Sequence, residues 1–98
     1  MELYKNDYGF DILLEVETNQ TDLTLENADE VTFKAVGMNT GNEVQGTASY
    51  DDGYFKYTIK EDDFTVIEPY RVFLVFDYKS EGDVLTRATG NFGILRVV

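Results

Sequence analysis

The side chains with most chemical potential in this sequence are clustered carboxylates. Asp51-Asp52 and Glu61-Asp62-Asp63 offer the oxygen ligands that calcium prefers, but neither run has EF-hand spacing. Asp51-Asp52-Gly53 is better explained as a hairpin turn, because glycine accepts the positive φ that such turns require. A glycosidase needs two carboxylates about 5–10 Å apart in a cleft, and nothing in the sequence marks such a pair. Ser49 and Ser80 are the only serines, and the chain has no histidine to serve either as a base. Cysteine is absent too, which excludes disulfides, thiolate metal sites and cysteine nucleophiles. The expectation is a non-enzymatic protein with no metal and no cofactor.

Seven tyrosines and seven phenylalanines raise a different chemistry, the stacking of flat aromatic rings on sugars. Phe10, Phe33, Phe55, Tyr57 and Phe76 fall at inward positions of alternating segments, where a core role accounts for them. Tyr4, Tyr8 and Tyr54 remain free to contact a glycan. With 19 acidic and 8 basic residues the net charge is -11, opposite to what a phosphate backbone or an anionic membrane attracts. No nucleic acid, membrane or small-molecule partner is expected. The charge serves solubility, or docking onto a basic partner.

Alternation sets the elements that carry these residues. Tyr70, Val72, Leu74, Phe76 and Tyr78 recur with the period of two that marks a strand, and Pro69 must stand at its very start. Phe10, Ile12, Leu14 and Val16 define a first strand. Val31, Phe33 and Ala35 define a second, and a turn at Thr40-Gly41-Asn42 follows it. A third strand over 43–50 turns Val44, Ala48 and Tyr50 inward, with Gly46 on the same face to admit another side chain. Phe55, Tyr57 and Ile59 form a fourth. Leu23 and Leu25 tuck into the core from a polar turn, and KEDDFTVIE has room for one helical turn. After the strand at 70–78, Ser80-Glu81-Gly82-Asp83 turns the chain into a strand over 84–89. Gly90-Asn91 breaks that strand before a last one over 92–98. This grammar predicts an all-β fold, an immunoglobulin-like β-sandwich of about seven antiparallel strands in one domain over 1–98, with a small barrel as the alternative.

Some residues do not fit a single core. Phe73 and Val75 lie between the inward residues of their strand and should point to its other face; Leu13, Val36 and Leu85 are apolar at similar outward positions. Either loop 60–68 folds over them, or they form an exposed patch for a partner. Leu13, Phe73, Val75 and Leu85 are the candidate partner-binding residues. The N-terminal residues lack the basic leader and apolar run of a signal peptide, and no stretch is long and apolar enough for a transmembrane helix, so a cytosolic origin is expected.

In order, these landmarks resemble the immunoglobulin-like N-terminal domain of phage baseplate upper proteins. KNDYGFDILLEVE matches the family's polar lead, glycine and alternating strand. Asp22-Leu23 stands before the Val31-Thr32-Phe33 strand, and DDGYFKYTI matches the glycine turn and short strand that follow. Tyr70-Arg71-Val72 matches a Tyr-x-Val strand after an acidic loop, and EGDVLT and FGILRVV complete the hairpin and closing strand. The resemblance covers nearly the whole chain. It implies a structural or adaptor module of a virion, in baseplate, tail or neck, made in the host bacterial cytoplasm. It also implies that other virion proteins are its partners, with self-association possible.

Overall fold

The computed structural model describes residues 2–15 and 25–98, the side chains of Glu26 and Leu85 aside. Among them the chain is mostly β-strand, with one 3-10 turn at Leu25–Asn27 and no α-helix. Among the described residues no helix is long and apolar enough to cross a membrane. The strands are β1 Glu2–Leu3, β2 Asp11–Leu14, β3 Glu30–Gly37, β4 Glu43–Thr47, β5 Ser49–Asp51, β6 Tyr54–Thr58, β7 Pro69–Ser80 and β8 Asp83–Val97. They form a five-stranded sheet in the order β1-β8-β7-β3-β4 and a three-stranded sheet in the order β2-β6-β5. All neighbouring pairs are antiparallel except β1, which runs parallel to the end of β8 with Glu2 opposite Arg96.

The inner faces of the two sheets share one core. Of the expected inward residues of β7, Tyr70, Val72, Leu74 and Phe76 are buried and Tyr78 is half-buried against the core; Val31, Phe33 and Ala35 on β3 and Phe55 and Tyr57 on β6 are buried too. Two aromatic contacts tie the sheets together. Phe33 stacks on Tyr57 with ring centroids 4.3 Å apart and planes 3° from parallel, and Phe55 meets Phe76 edge-on at 5.0 Å. Gly46 on β4 pairs with Phe33, and the Tyr57 ring fills the place where a Cβ at Gly46 would stand. The close approach expected from the sequence is therefore made by a ring of the opposite sheet.

Turn chemistry places the hairpins where the sequence puts them. Asp52 and Gly53 both adopt positive φ between β5 and β6, as do Glu81 and Gly82 between β7 and β8. This is the backbone of tight two-residue hairpins, whose twist matches that of the strands. β7 begins at Pro69. Leu25 is buried as expected; Val16, Asp22 and Leu23 lie outside the described residues.

Several boundaries differ from the sequence expectation. The strand over 43–50 is two strands: Ala48, buried between β4 and β5, is where the chain leaves one sheet for the other. Tyr50 beyond it is 46% exposed, its ring tilted against Phe55. The segments 84–89 and 92–98 are one strand, β8, in which Gly90-Asn91 makes no break. The register passes from Phe73 opposite Asn91 to Arg71 opposite Ile94, so Phe92 and Gly93 together face Val72. This bulge, with Gly93 at φ 85°, absorbs one extra residue and lets pairing continue. Phe10 stands outside β2 and is exposed, and no helical turn forms between β6 and β7. The eight strands and the parallel pairing of β1 also depart from about seven antiparallel ones.

Loop 60–68 closes one end of the core. Phe64 is fully buried, edge-on to Tyr70 at 5.1 Å. Asp63 accepts hydrogen bonds from the Tyr57 hydroxyl at 2.5 Å and the Lys60 amide at 2.8 Å. Burial, then the bond to Asp63 and its charge, push the Tyr57 hydroxyl pKa well above the usual phenol value. Glu68, only 3% exposed, reaches the β3–β4 turn and accepts from the amides of Asn39 and Thr40 at 3.0 and 3.1 Å and from the Thr40 hydroxyl at 2.5 Å. A Cβ at Gly37 would lie 2.5 Å from Glu68 Oε1, so this carboxylate requires glycine beside it.

Gly46→Ala should force the Tyr57 ring out of its stack with Phe33 and cost about 1–3 kcal/mol, the usual penalty for overpacking a core. Urea unfolding of the two proteins checks it; equal stability would mean that the ring does not occupy that space.

Candidate functional site

The outer face of the five-stranded sheet carries the most distinctive arrangement of side chains. Register across β3, β7 and β8 sets it in rows. Glu30, Asp77 and Arg87 form one row, and Thr32, Val75 and Thr89 the next. Lys34, Phe73 and Asn91 follow, and then Val36, Arg71 and Ile94. Val36, Phe73 and Val75 are half-buried and form the apolar floor of a shallow trough of about 350 Å³, bordered by Lys34, Arg87 and Thr89. Ile94, 43% exposed, extends the apolar strip toward β1.

Ion pairs fix the borders of the trough. Lys34 on β3 bridges to Glu43 on β4 at 2.9 Å. Arg87 grips Asp77 through two hydrogen bonds, Nε to Oδ1 at 2.6 Å and Nη2 to Oδ2 at 3.1 Å. Asp77 is buried while Arg87 stays largely exposed, so the guanidinium covers the carboxylate and leaves its own outer edge open. The Arg87 hydrogen bonds hold the Asp77 carboxyl below its ordinary pKa; burial opposes them, and the charges of Arg87 and Lys79 reinforce them. Lys79 closes the end of the face through its bond to Glu30, which raises the ammonium pKa.

The residues expected to bind a partner are brought together only in part. Phe73 and Val75 stand two residues apart on β7, and Val36 joins them from β3. Leu13 does not: it lies on β2 opposite Lys56, 52% exposed on the outer face of the other sheet, which points away from the trough. Alternation along a strand gives the face of a residue but not the sheet, which is why Leu13 and Phe73 looked alike. Leu85 lies where the β7–β8 register shifts between Tyr78 and Lys79, and its side chain is outside the described set. Loop 60–68 turns Phe64 and Glu68 inward and takes no part in lining the trough. Sequence reasoning missed the cationic borders, because they arise from cross-strand register.

The tyrosines expected to contact a glycan do not make one platform. Tyr4 and Tyr8 flank a turn in which the Asp7 amide donates to the Tyr4 carbonyl, near the end of β6 where the Gly9 amide bonds the Ile59 carbonyl. Tyr54 lies at the other end of β6. The five residues of β6 set its ends four steps of extended chain apart, about 13 Å. The acidic clusters are likewise apart in role: Asp51 pairs with Lys56, and Asp63 holds its own loop. Among the described residues no three His, Cys, Asp or Glu side chains gather as metal ligands. Comparison of the chain with protein families, curated proteins and solved structures returns no match.

The Asp77–Arg87 pair makes a pH signature. Because its folded pKa is lowered, ionised Asp77 contributes stability that is complete above the unfolded carboxylate pKa of about 4 and is lost as pH falls through the folded value. The stability lead of the wild type over Arg87→Gln should be full at neutral pH and shrink on acidification below about pH 4. Denaturant titrations along a pH series measure it, and a gap that stays constant into strong acid would contradict the pairing.

Proposed function

We propose that this chain is an immunoglobulin-like, non-enzymatic structural or adaptor module of a phage or prophage particle, acting by protein–protein contact through the outer face of its five-stranded sheet. Strand order supports the fold reading. The succession β2-β6-β5 corresponds to strands B, E and D of an immunoglobulin-like domain, and β8-β7-β3-β4 to G, F, C and C′. The strand lying parallel to β8 fits as a short first strand. The resemblance in sequence order to baseplate upper proteins supports the virion as its place, in baseplate, tail or neck.

The observation that carries the contact reading is the apolar strip of Val36, Phe73 and Val75. These side chains stay half-open to solvent on strands whose inner faces already fill the core. Ion-paired borders around an apolar centre are the usual composition of a protein contact, in which the centre supplies affinity and the rim orientation. No observation favours the sugar-binding alternative, since Tyr4 and Tyr8 are separated from Tyr54 by the length of β6.

Phe73→Lys is the direct test, in the phage or lysogen that carries the gene. The variant should fold with a melting temperature within a few degrees of the wild type and fail to co-sediment with particles that incorporate the wild-type chain. Incorporation equal to wild type would remove Phe73 from the contact; a wild-type chain that never enters particles would sink the virion reading.

A further inference from the structure

Charge is distributed unevenly over this acidic chain. On the outer face of the five-stranded sheet Lys34, Lys79 and Arg87 are cancelled by Glu43, Glu30 and Asp77. Arg71 and Arg96 point from the same face with no ion pair among the described residues; Glu2 stands opposite Arg96, and the Asp29 carboxylate stands at the far end, where it accepts from the Lys79 amide. The face is therefore balanced in charge, and the rest of a chain of net charge -11 carries all of the excess negative charge. From Val84 to Val98 there is no acidic residue at all. An apolar strip beside arginines that have no ion pair among the described residues fits an acidic segment with exposed apolar side chains, and not the basic partner that the overall charge suggests.

One such segment is on the chain itself. In the loop between β6 and β7, Glu61 and Asp62 are exposed together with Val66 and Ile67, the last at 63%. The loop is held in shape from within by buried Phe64, by Asp63 and by Glu68, and the Asn6 amide bonds the Phe64 carbonyl at 2.9 Å. Little ordering entropy is left to lose on binding. The loop also borders the face: the Val97 amide donates to the Glu68 carbonyl, and Pro69 stands opposite Arg96. A loop and a receiving face that adjoin can be exchanged by two copies about a two-fold axis, so that both contacts form at once.

We propose that this protein forms a two-fold dimer in which the loop of each copy, carrying Glu61 and Ile67, seats on the Val36–Phe73–Val75 strip of the other beside Arg71. This rests on the reading of that face as a contact surface and names its first occupant as a second copy of the chain. General repulsion between two acidic bodies is screened beyond about 8 Å at physiological ionic strength, whereas the charge pairs within the contact are closer than that.

Sedimentation equilibrium tests it. The wild type should approach twice the 11.2 kDa of one chain as concentration rises. Arg71→Glu and Glu61→Arg, both at exposed positions, should each weaken the dimer by about tenfold or more by setting like charges together. A mixture of the two variants should dimerise again, because each contact then joins opposite charges. Ile67→Ser gives a charge-neutral check on the loop, and Arg96→Glu replaces Arg71→Glu if that variant does not fold. A wild type that stays monomeric to about 1 mM, a dimer indifferent to both variants, or a mixture that stays monomeric would each overturn the proposal. A monomeric chain that still enters particles through Phe73 would leave the virion reading standing and assign the face to an acidic segment of another particle protein.

Discussion

The stack of Phe33 on Tyr57, admitted by the missing side chain of Gly46, is the contact on which the rest of the structure depends. It joins a central strand of one sheet to the central strand of the other, in a chain without cysteine to bridge them. A ring lying flat on Phe33 takes the place of the side chain next to it on β4, and glycine at position 46 leaves that space. Once the sheets are set, Phe55 meets Phe76, Phe64 closes the end against Tyr70, and the hydroxyl of Tyr57 reaches Asp63 to fix the loop between β6 and β7. One residue type at one position thus organises both the core and the shape of a surface loop.

A core completed in this way has a consequence for β7. Its inner residues are fully engaged, and among the described residues Phe73 and Val75 on the other side are flanked by their paired neighbours on β3 and β8. Paired strands supply those neighbours as charged and hydroxylated side chains with aliphatic stems, which cover the apolar strip in part and leave it half-open. The Arg87–Asp77 pair is the strongest of these borders, because a bidentate guanidinium shields a carboxylate that would otherwise be buried alone. The borders therefore let the face stand in water with its apolar strip half-open.

Much of this was legible in the sequence where a residue type permits only one local solution. Pro69 had to begin a strand, Asp52-Gly53 and Glu81-Gly82 had to turn, and Gly46 had to receive another side chain. Period two also separated Phe73 and Val75 from the core of their strand. What it could not give was the sheet to which each strand belongs. Ala48 is a small residue in an alternating run, and only pairing reveals that the chain changes sheets there. The same limit united Leu13 with Phe73, although they lie on opposite outer faces, and hid the cationic borders, which depend on register between β3, β7 and β8. Gly90-Asn91 read as a break because a bulge can rescue pairing that local propensity would end.

A contact through Val36, Phe73 and Val75 requires that the outer face of the five-stranded sheet be open to solvent in the single chain. Paramagnetic relaxation by a neutral, water-soluble probe, read on side-chain protons of the dilute monomer, tests it most directly. The account predicts strong enhancement at Phe73, Val75 and Val36 and almost none at Leu74 and Phe76, their neighbours on the inner side of the same sheet. Protection of Phe73 and Val75 equal to that of Leu74 would mean that the chain covers this face itself, and would contradict the account.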